Sequence, residues 1–299
     1  MYLHGIRPGF FLNAAGSKIL THEEIRAMTD HRNGHMKIMN RHSFIAGNTN
    51  TADTAENTGI AAPSYAKIDL HTHTCASGHG TDDRITDLAK EAAQRHMKVL
   101  GISDHGPATA GSAGLSYFRS LFLCERNRFG IRLLYGAEAN ILDTEGHLDI
   151  PDDILGRLDF CIISTHRPIY TSGSAAENTR AYIRAMHHPG VKIIGHCDDS
   201  RFPVDYRELL SAALTMGVIP ELNNVSLLPD SYRRDCRVNA AAMLRTCEAL
   251  SCPVIPSSDS HGREHVGDVT EALKLLRELD FPKQLVRSDP FPGNDIQYR

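Results

Sequence analysis

From Lys67 onward the chain repeats one pattern: a short apolar run of strand length, then a longer stretch with its apolar residues on one helical face. The strand-like runs cover 67–70, 98–103, 131–135, 159–164, 191–195, 218–222 and 253–257. Between them Ile85, Leu88, Ala89, Ala92 and Ala93 keep helical spacing, as do Leu209, Leu210, Ala213 and Leu214, and later Val266, Val269, Leu273, Leu276 and Leu279. Gly217 is placed to cap the second of these helices and lead straight into a strand. Strands alternating with helices in this way pair in parallel, and seven of them are enough for a closed α/β barrel.

The stretch before this pattern is different. Residues 1–64 scatter Gly, Asn, Thr and Ala, most densely over 47–63 (GNTNTADTAENTGIAAP), with only a short helical suggestion at 22–29. The expected organisation is a poorly ordered extension over 1–64, a barrel over 65–289 and a tail over 290–299. With 32 basic against 36 acidic residues, the net charge of -4 gives no general attraction to extended nucleic acid. Seven cysteines without a CxxC pair suggest a reduced compartment. No apolar run reaches the roughly 18 to 20 residues of a spanning helix, and a signal-peptide pattern is missing, so a cytoplasmic location without a membrane partner is expected.

The chain carries 17 histidines, and their placement is the main functional signal. The first strand runs into His71-Thr72-His73, and residues two apart on extended backbone point to the same side. Two imidazoles alone are often satisfied surface or core groups. Later strands, however, end near Asp104-His105, Glu138, His166, His196 and Asp259 with His261, and His79 extends the first loop. A parallel barrel gathers these ends around one mouth, where active sites sit. Imidazole and carboxylate without thiolate suit zinc first, then manganese or iron, better than calcium or magnesium. Nine candidate ligands exceed the three or four of one zinc site, so a cluster of two or three divalent ions is expected.

These residues resemble the polymerase and histidinol phosphatase (PHP) metal hydrolases, and within them the trinuclear zinc phosphatases. The resemblance spans about 67–289 and rests on DLHTH at 69–73, SDHGP at 103–107, GAEAN at 136–140, STH at 164–166, IGH at 194–196, ELNN at 221–224 and SDSH at 258–261. It implies a distorted (β/α)7 TIM-like barrel. It also implies one metal held by His71, His73, Glu138 and Asp259, a second by Glu138, His166 and His196, and a third by His79, His105 and His261, with Glu138 as the bridge. Cys197 stands where such proteins often carry proline.

The activity so implied is hydrolysis of a small phosphomonoester. Two cations sharing a water would create hydroxide at neutral pH, and the remaining metal positions would take phosphoryl oxygens. Asp104 is a candidate general acid or an orienter of the ligands, and Arg167 a candidate clamp for the phosphate or a substrate carboxylate. Asn223 and Asn224 end a strand without a ligand and would either line the pocket or cap the next turn. Cys161 and Cys252 read as core residues; substrate choice would lie in loops such as 108–121 and 171–178. Competing readings are a nucleotide or nucleic-acid-end phosphodiesterase of the same family, an amidohydrolase-type enzyme, and an inactive metal-stabilised binding module. The amidohydrolase pattern commonly has a bridging lysine where this chain has His166.

Overall fold

The computed structural model describes residues 67–287 and Phe291. The extension expected over 1–64 and, Phe291 apart, the tail over 290–299 lie outside the described residues. Among the described residues no helix is long and apolar enough to cross a membrane.

The seven expected strands are present as β1 (Ile68–Asp69), β3 (Val99–Ile102), β5 (Ile131–Asn140), β6 (Phe160–Ser164), β7 (Val191–Ile194), β8 (Ile219–Asn223) and β9 (Ile255–Ser257). They hydrogen-bond in that order and in parallel, with β4 (Asn127–Arg128) added antiparallel to β5. Helices follow most strands: α1 (Ile85–Gln94), α2 (Leu115–Leu121), α3 (Asp152–Leu155), α4 (Ala175–Ala185), α5 (Tyr206–Met216), α6 (Cys236–Leu250) and α7 (Thr270–Glu278). The architecture is a distorted (β/α)7 barrel.

Alternation along the strands sorts the apolar residues into two cores. Ile68, Leu70, Val99, Leu134, Phe160, Ile162, Ile193, Ile219 and Ile255 fill the barrel interior. Their neighbours, including Leu100, Ile102, Leu133, Tyr135, Cys161, Ile163 and Ile194, face outward under the helices. Cys252 is buried in this outer core as well, so both cysteines expected in the core are there. The Phe160 ring occupies the space left by two glycines: a Cβ on Gly101 or Gly136 would stand 2.8 or 2.7 Å from it.

The barrel does not close by direct pairing of β1 with β9. Two short segments beyond them, β2 (Thr72–His73) and β10 (Ser260–His261), form their own parallel ladder, with His73 opposite His261. Beneath the ladder, buried Asp69 accepts from Ser258 N at 3.1 Å, from Ser258 Oγ, and from Gly267 N at 2.8 Å. A carboxylate thus ties the two ends of the sheet together.

Three expectations about local structure need correction. The third strand does not stop at Tyr135 but runs to Asn140, so Glu138 lies within it. Its first half pairs with β3 and its second with β6, the stagger of a barrel; small residues at 136, 137 and 139 hide this half from an apolar-run reading. The last helix begins at Thr270, and Val266 and Val269 precede it, because Gly267 turns at φ +73 to give its N–H to Asp69. The stretches 115–121 and 175–178 are helical rather than loop. Ser174 and Glu177 form a reciprocal capping box at the start of α4. Gly217, at φ 69, caps α5 as its position predicts.

Candidate metal centre

Inward-facing positions at the carboxyl ends of the strands are polar where those deeper in the barrel are apolar. Glu138 stands at the centre, fully buried. Its Oε1 is 2.8 Å from His196 Nε2 and 3.3 Å from His166 Nε2. Its Oε2 is 3.4 Å from His71 Nε2, 3.6 Å from His73 Nε2 and 2.7 Å from His105 Nδ1. On the other side Asp259, at φ +56, brings Oδ1 to 3.5 Å from His71 Nε2 and 3.2 Å from His73 Nε2. His261 stacks on His73 with ring centroids 4.1 Å apart, the consequence of their register in the β2–β10 ladder. The exposed ring of His79 lies 5.0 Å from that of His105 and 4.9 Å from that of His261. All nine residues expected to cluster are therefore at one mouth.

The far sides of the His71, His73 and His166 rings are engaged, which sets the atoms left facing inward. Glu221 Oε1 is 2.6 Å from His71 Nδ1, Ser77 Oγ 2.9 Å from His73 Nδ1, and Asn140 Oδ1 2.7 Å from His166 Nδ1. A carboxylate or amide oxygen only accepts, so Nδ1 of His71 and of His166 carries the proton and Nε2 turns to the centre. Within the centre the Nε2 atoms of His71, His73, His166 and His261, His105 Nδ1 and Glu138 Oε2 are buried without hydrogen-bond partners. His105 Nδ1 and Glu138 Oε2 are near each other but not aligned as donor and acceptor. Such a set of orphaned lone pairs is costly in a protein interior unless something electrophilic satisfies them. Divalent cations fit that donor set. Three tight groupings of ligand atoms stand out: His71 with His73 and Asp259, His105 with Glu138 and His166, and His73 with His105 and His261.

The electrostatics have the same sense. Burial raises the Glu138 carboxyl, but His166, His71 and His105 outweigh it and hold it well below the usual carboxylate range. Asp259 is likewise held low against burial, by His71 and Arg233. Burial pushes His166 down to about 4, and burial with His261 and His105 pushes His73 well down, leaving both neutral. His71 goes the other way: burial opposes its charge, yet Glu221, Asp259 and Glu138 raise it well above an ordinary imidazole. The same carboxylates would favour a cation beside His71 Nε2.

Asp104 does not face the centre as an acid. Its Oδ1 accepts from Thr74 N at 2.6 Å and Ser77 Oγ at 2.7 Å, and its Oδ2 from Thr74 Oγ1 at 2.9 Å and Tyr117 OH at 2.5 Å. Of the two roles open to it, the geometry favours orienting the loop that carries His73 and Ser77. Arg167 is exposed on the rim of a cavity of about 550 Å³ that is also lined by His79, His105, His166, Asp259 and His261. Cys197 is buried, and burial pushes its thiol up, so it is not a reactive group.

Sequence reasoning missed the roles of Ser77 and Asn140 and also those of Glu221 and Arg233. Glu221 was in view only as part of a strand without ligands, yet it holds His71 through Oε1 and accepts from His196 N at 2.7 Å through Oε2. Arg233, in an unremarkable loop, is buried and gives Nη2 to Asp259 Oδ2 at 2.9 Å and Nη1 to Asn223 Oδ1 at 3.0 Å. Asn223 also donates to Asp259 Oδ2 at 3.1 Å. Asn224 has a separate task, accepting from Glu271 N and Ala272 N at the start of α7.

Comparison with known proteins adds the following. The PHP domain model matches residues 69–222. A probable phosphatase of Clostridium acetobutylicum is 35% identical over 219 residues, covering 73% of this chain and 88% of that protein. A probable phosphatase of Acetivibrio thermocellus is 36% identical over 219 residues, covering 73% and 89%. Among solved structures, histidinol phosphate phosphatase from Lactococcus lactis, complexed with zinc, L-histidinol and phosphate, aligns at a TM-score of 0.48 and 16% identity over 73% of this chain and 95% of that one. The family model covers more than half of the chain, and the curated relatives match it over most of their own length. On that ground this chain belongs to the PHP domain family.

Proposed function

We propose that the chain is a metal-dependent hydrolase of phosphoric esters, acting on a small phosphomonoester at a cluster of two or three divalent ions, zinc foremost. The observation that carries this reading is the set of orphaned ring and carboxylate atoms around Glu138, opening on a cavity large enough for a small ester. The probable-phosphatase relatives support the reaction class.

His71, His73, Glu138 and Asp259 would hold one ion, and Glu138, His166 and His196 another. A third would take His105 and His261, with His79 or His73 completing it. When bound, such ions supply Lewis acidity toward water and toward phosphoryl oxygens.

The chain's own residues do the rest. Glu221, Ser77 and Asn140 fix ring orientation, so the ligand atoms need no rearrangement. Arg233 and Asn223 hold one oxygen of Asp259 and leave the other free to face the cluster. Asp104 holds the Thr74–Ser77 turn and with it the His73 ring. Arg167, on the rim, meets the substrate from the solvent side.

The test is elemental analysis of the purified protein combined with a phosphomonoester panel, using Glu138→Ala and His105→Ala as controls. The expected result is at least two transition-metal ions per chain, phosphatase activity in the wild type, and loss of both metal and activity in Glu138→Ala. Fewer than two ions, or full activity in both variants, overturns the reading.

A further inference from the structure

The main cavity has a second lobe. A smaller cavity of about 200 Å³ adjoins it across His166, Arg167, Tyr232 and Arg233, and is walled on its far side by Asp199, Arg201 and Phe202. The lobe brings three guanidinium groups together, with Asp199 beside Arg201 and with Asp259 and Asp198 behind Arg233. Arg201 is locked on Asp199, with Nε 3.0 Å from Oδ1 and 2.8 Å from Oδ2. Buried Arg233 is locked on Asp259. The exposed Tyr232 ring lies 5.5 Å from the Arg201 guanidinium and 5.0 Å from that of Arg233, so both are held against one aromatic ring.

Asp199 and Asp259 are thus engaged, and Arg167 has no ion-pair partner among the described residues. Its guanidinium borders a recess beside the cluster and has no carboxylate of its own there. A lone exposed arginine would be a solvated rim group. Here the fixed neighbours Arg201 and Arg233, the latter buried, make a shaped wall around it, with planar donors suited to an oxyanion.

We propose that this lobe is the subsite for a second anionic group on the leaving-group side of the substrate. The substrate class is then a phosphomonoester whose alcohol portion carries a carboxylate or a second phosphate. This rests on the phosphatase reading for the first anion, at the cluster; the lobe holds the second.

The test is calorimetric titration of the full-length, metal-loaded protein with phosphonopropionate and with propylphosphonate, which share a phosphonate and a three-carbon chain but differ in the second anion. The wild type is expected to bind phosphonopropionate about tenfold or more tighter, as one desolvated arginine–oxyanion contact gives. Arg167→Met, at an exposed position that leaves folding intact, is expected to abolish most of that preference, and Arg201→Met to reduce it. A bisphosphonate of the same chain length distinguishes the two sources: tighter binding than phosphonopropionate identifies a second phosphate, weaker binding a carboxylate. No preference in the wild type, or a preference that survives in Arg167→Met as chelation of the ions by the second anion would give, overturns the proposal. Hydrolysis of p-nitrophenyl phosphate is read separately. Its absence beside a retained, Arg167-dependent preference refutes the phosphatase reading and not the subsite.

Discussion

Replacing Glu221 by Gln changes one oxygen to an amide and leaves the shape of the side chain alone, yet the structure predicts a large loss of metal affinity. Oε2 accepts from His196 N at 2.7 Å and Asn223 Nδ2 at 3.1 Å, and the first of these is a backbone N–H that cannot turn away. The new NH₂ group is therefore driven to the Oε1 position, where Ser257 can rotate its hydroxyl to accept. That position is 2.6 Å from His71 Nδ1. A donor there demands an acceptor, so Nδ1 must lose its proton and Nε2 must take one, which removes His71 from any coordination sphere. Loss of such an outer partner typically weakens a metal site about 10- to 100-fold, or about 1.4 to 2.7 kcal/mol. Under saturating metal, the stabilisation contributed by binding falls by the same amount. For a barrel of this size that lowers the holo-protein Tm by roughly 3–11 °C. The assays are a chelator-competition titration with zinc and thermal melts with and without metal. Wild-type affinity at every site in Glu221→Gln would refute the reasoning, because among the described residues nothing else supplies an acceptor to His71 Nδ1.

Other expectations follow from the same contacts. Gly136→Ala puts a Cβ 2.7 Å from the Phe160 ring and should cost about 1–3 kcal/mol in a urea melt, with partial recovery in Gly136→Ala/Phe160→Leu. Asn224→Ala removes the acceptor for two N–H groups of α7 and should cost about 1 kcal/mol, read as a lower denaturation midpoint. Asp104→Asn should lower Tm and slow the phosphatase while leaving the alkaline limb of the kcat pH profile in place; disappearance of that limb would restore Asp104 as the acid. The Asp83 carboxyl is held below its ordinary value, mainly by its hydrogen bond from Arg263. Its contribution is then present above the ordinary carboxylate pKa and lost as pH falls through the depressed value. Tm of Asp83→Asn should accordingly lie below wild type at pH 7, and the gap should close in acid.

How much of this was legible beforehand depends on how local each signal is. His71 and His73 could be paired from two-residue alternation, and the strand-end rule carried His105, His166, His196 and Asp259 to the same mouth. Glu138 was found by its neighbours even though its strand was drawn too short, since Gly136, Ala137 and Ala139 lack the bulk that marks a buried run. Glu221 could not be read in its role, because its partner His71 is 150 residues away and nothing about a Glu in a strand declares which ring it will meet. Arg233 was hidden for the same reason, its carboxylate lying 26 residues on in another loop. The turn at Gly267 was masked by valines that happen to keep helical spacing; what decides it is a buried aspartate 198 residues earlier.

The seam between β2 and β10 has a consequence for how the protein is made. Its two lips are separated by almost the whole barrel in sequence: Asp69 and Ser258, which meet across it, are 189 residues apart. During synthesis the lip bearing His71 and His73 emerges early and must wait, with its rings and the Asp69 carboxylate exposed, until Asp259 and His261 have left the ribosome. The part of the ligand set that crosses the seam, His71 and His73 with Asp259 and His261, is therefore completed only when the barrel closes. A chain interrupted before residue 258 has most of its strands and neither a seam nor the site that needs Asp259 and His261.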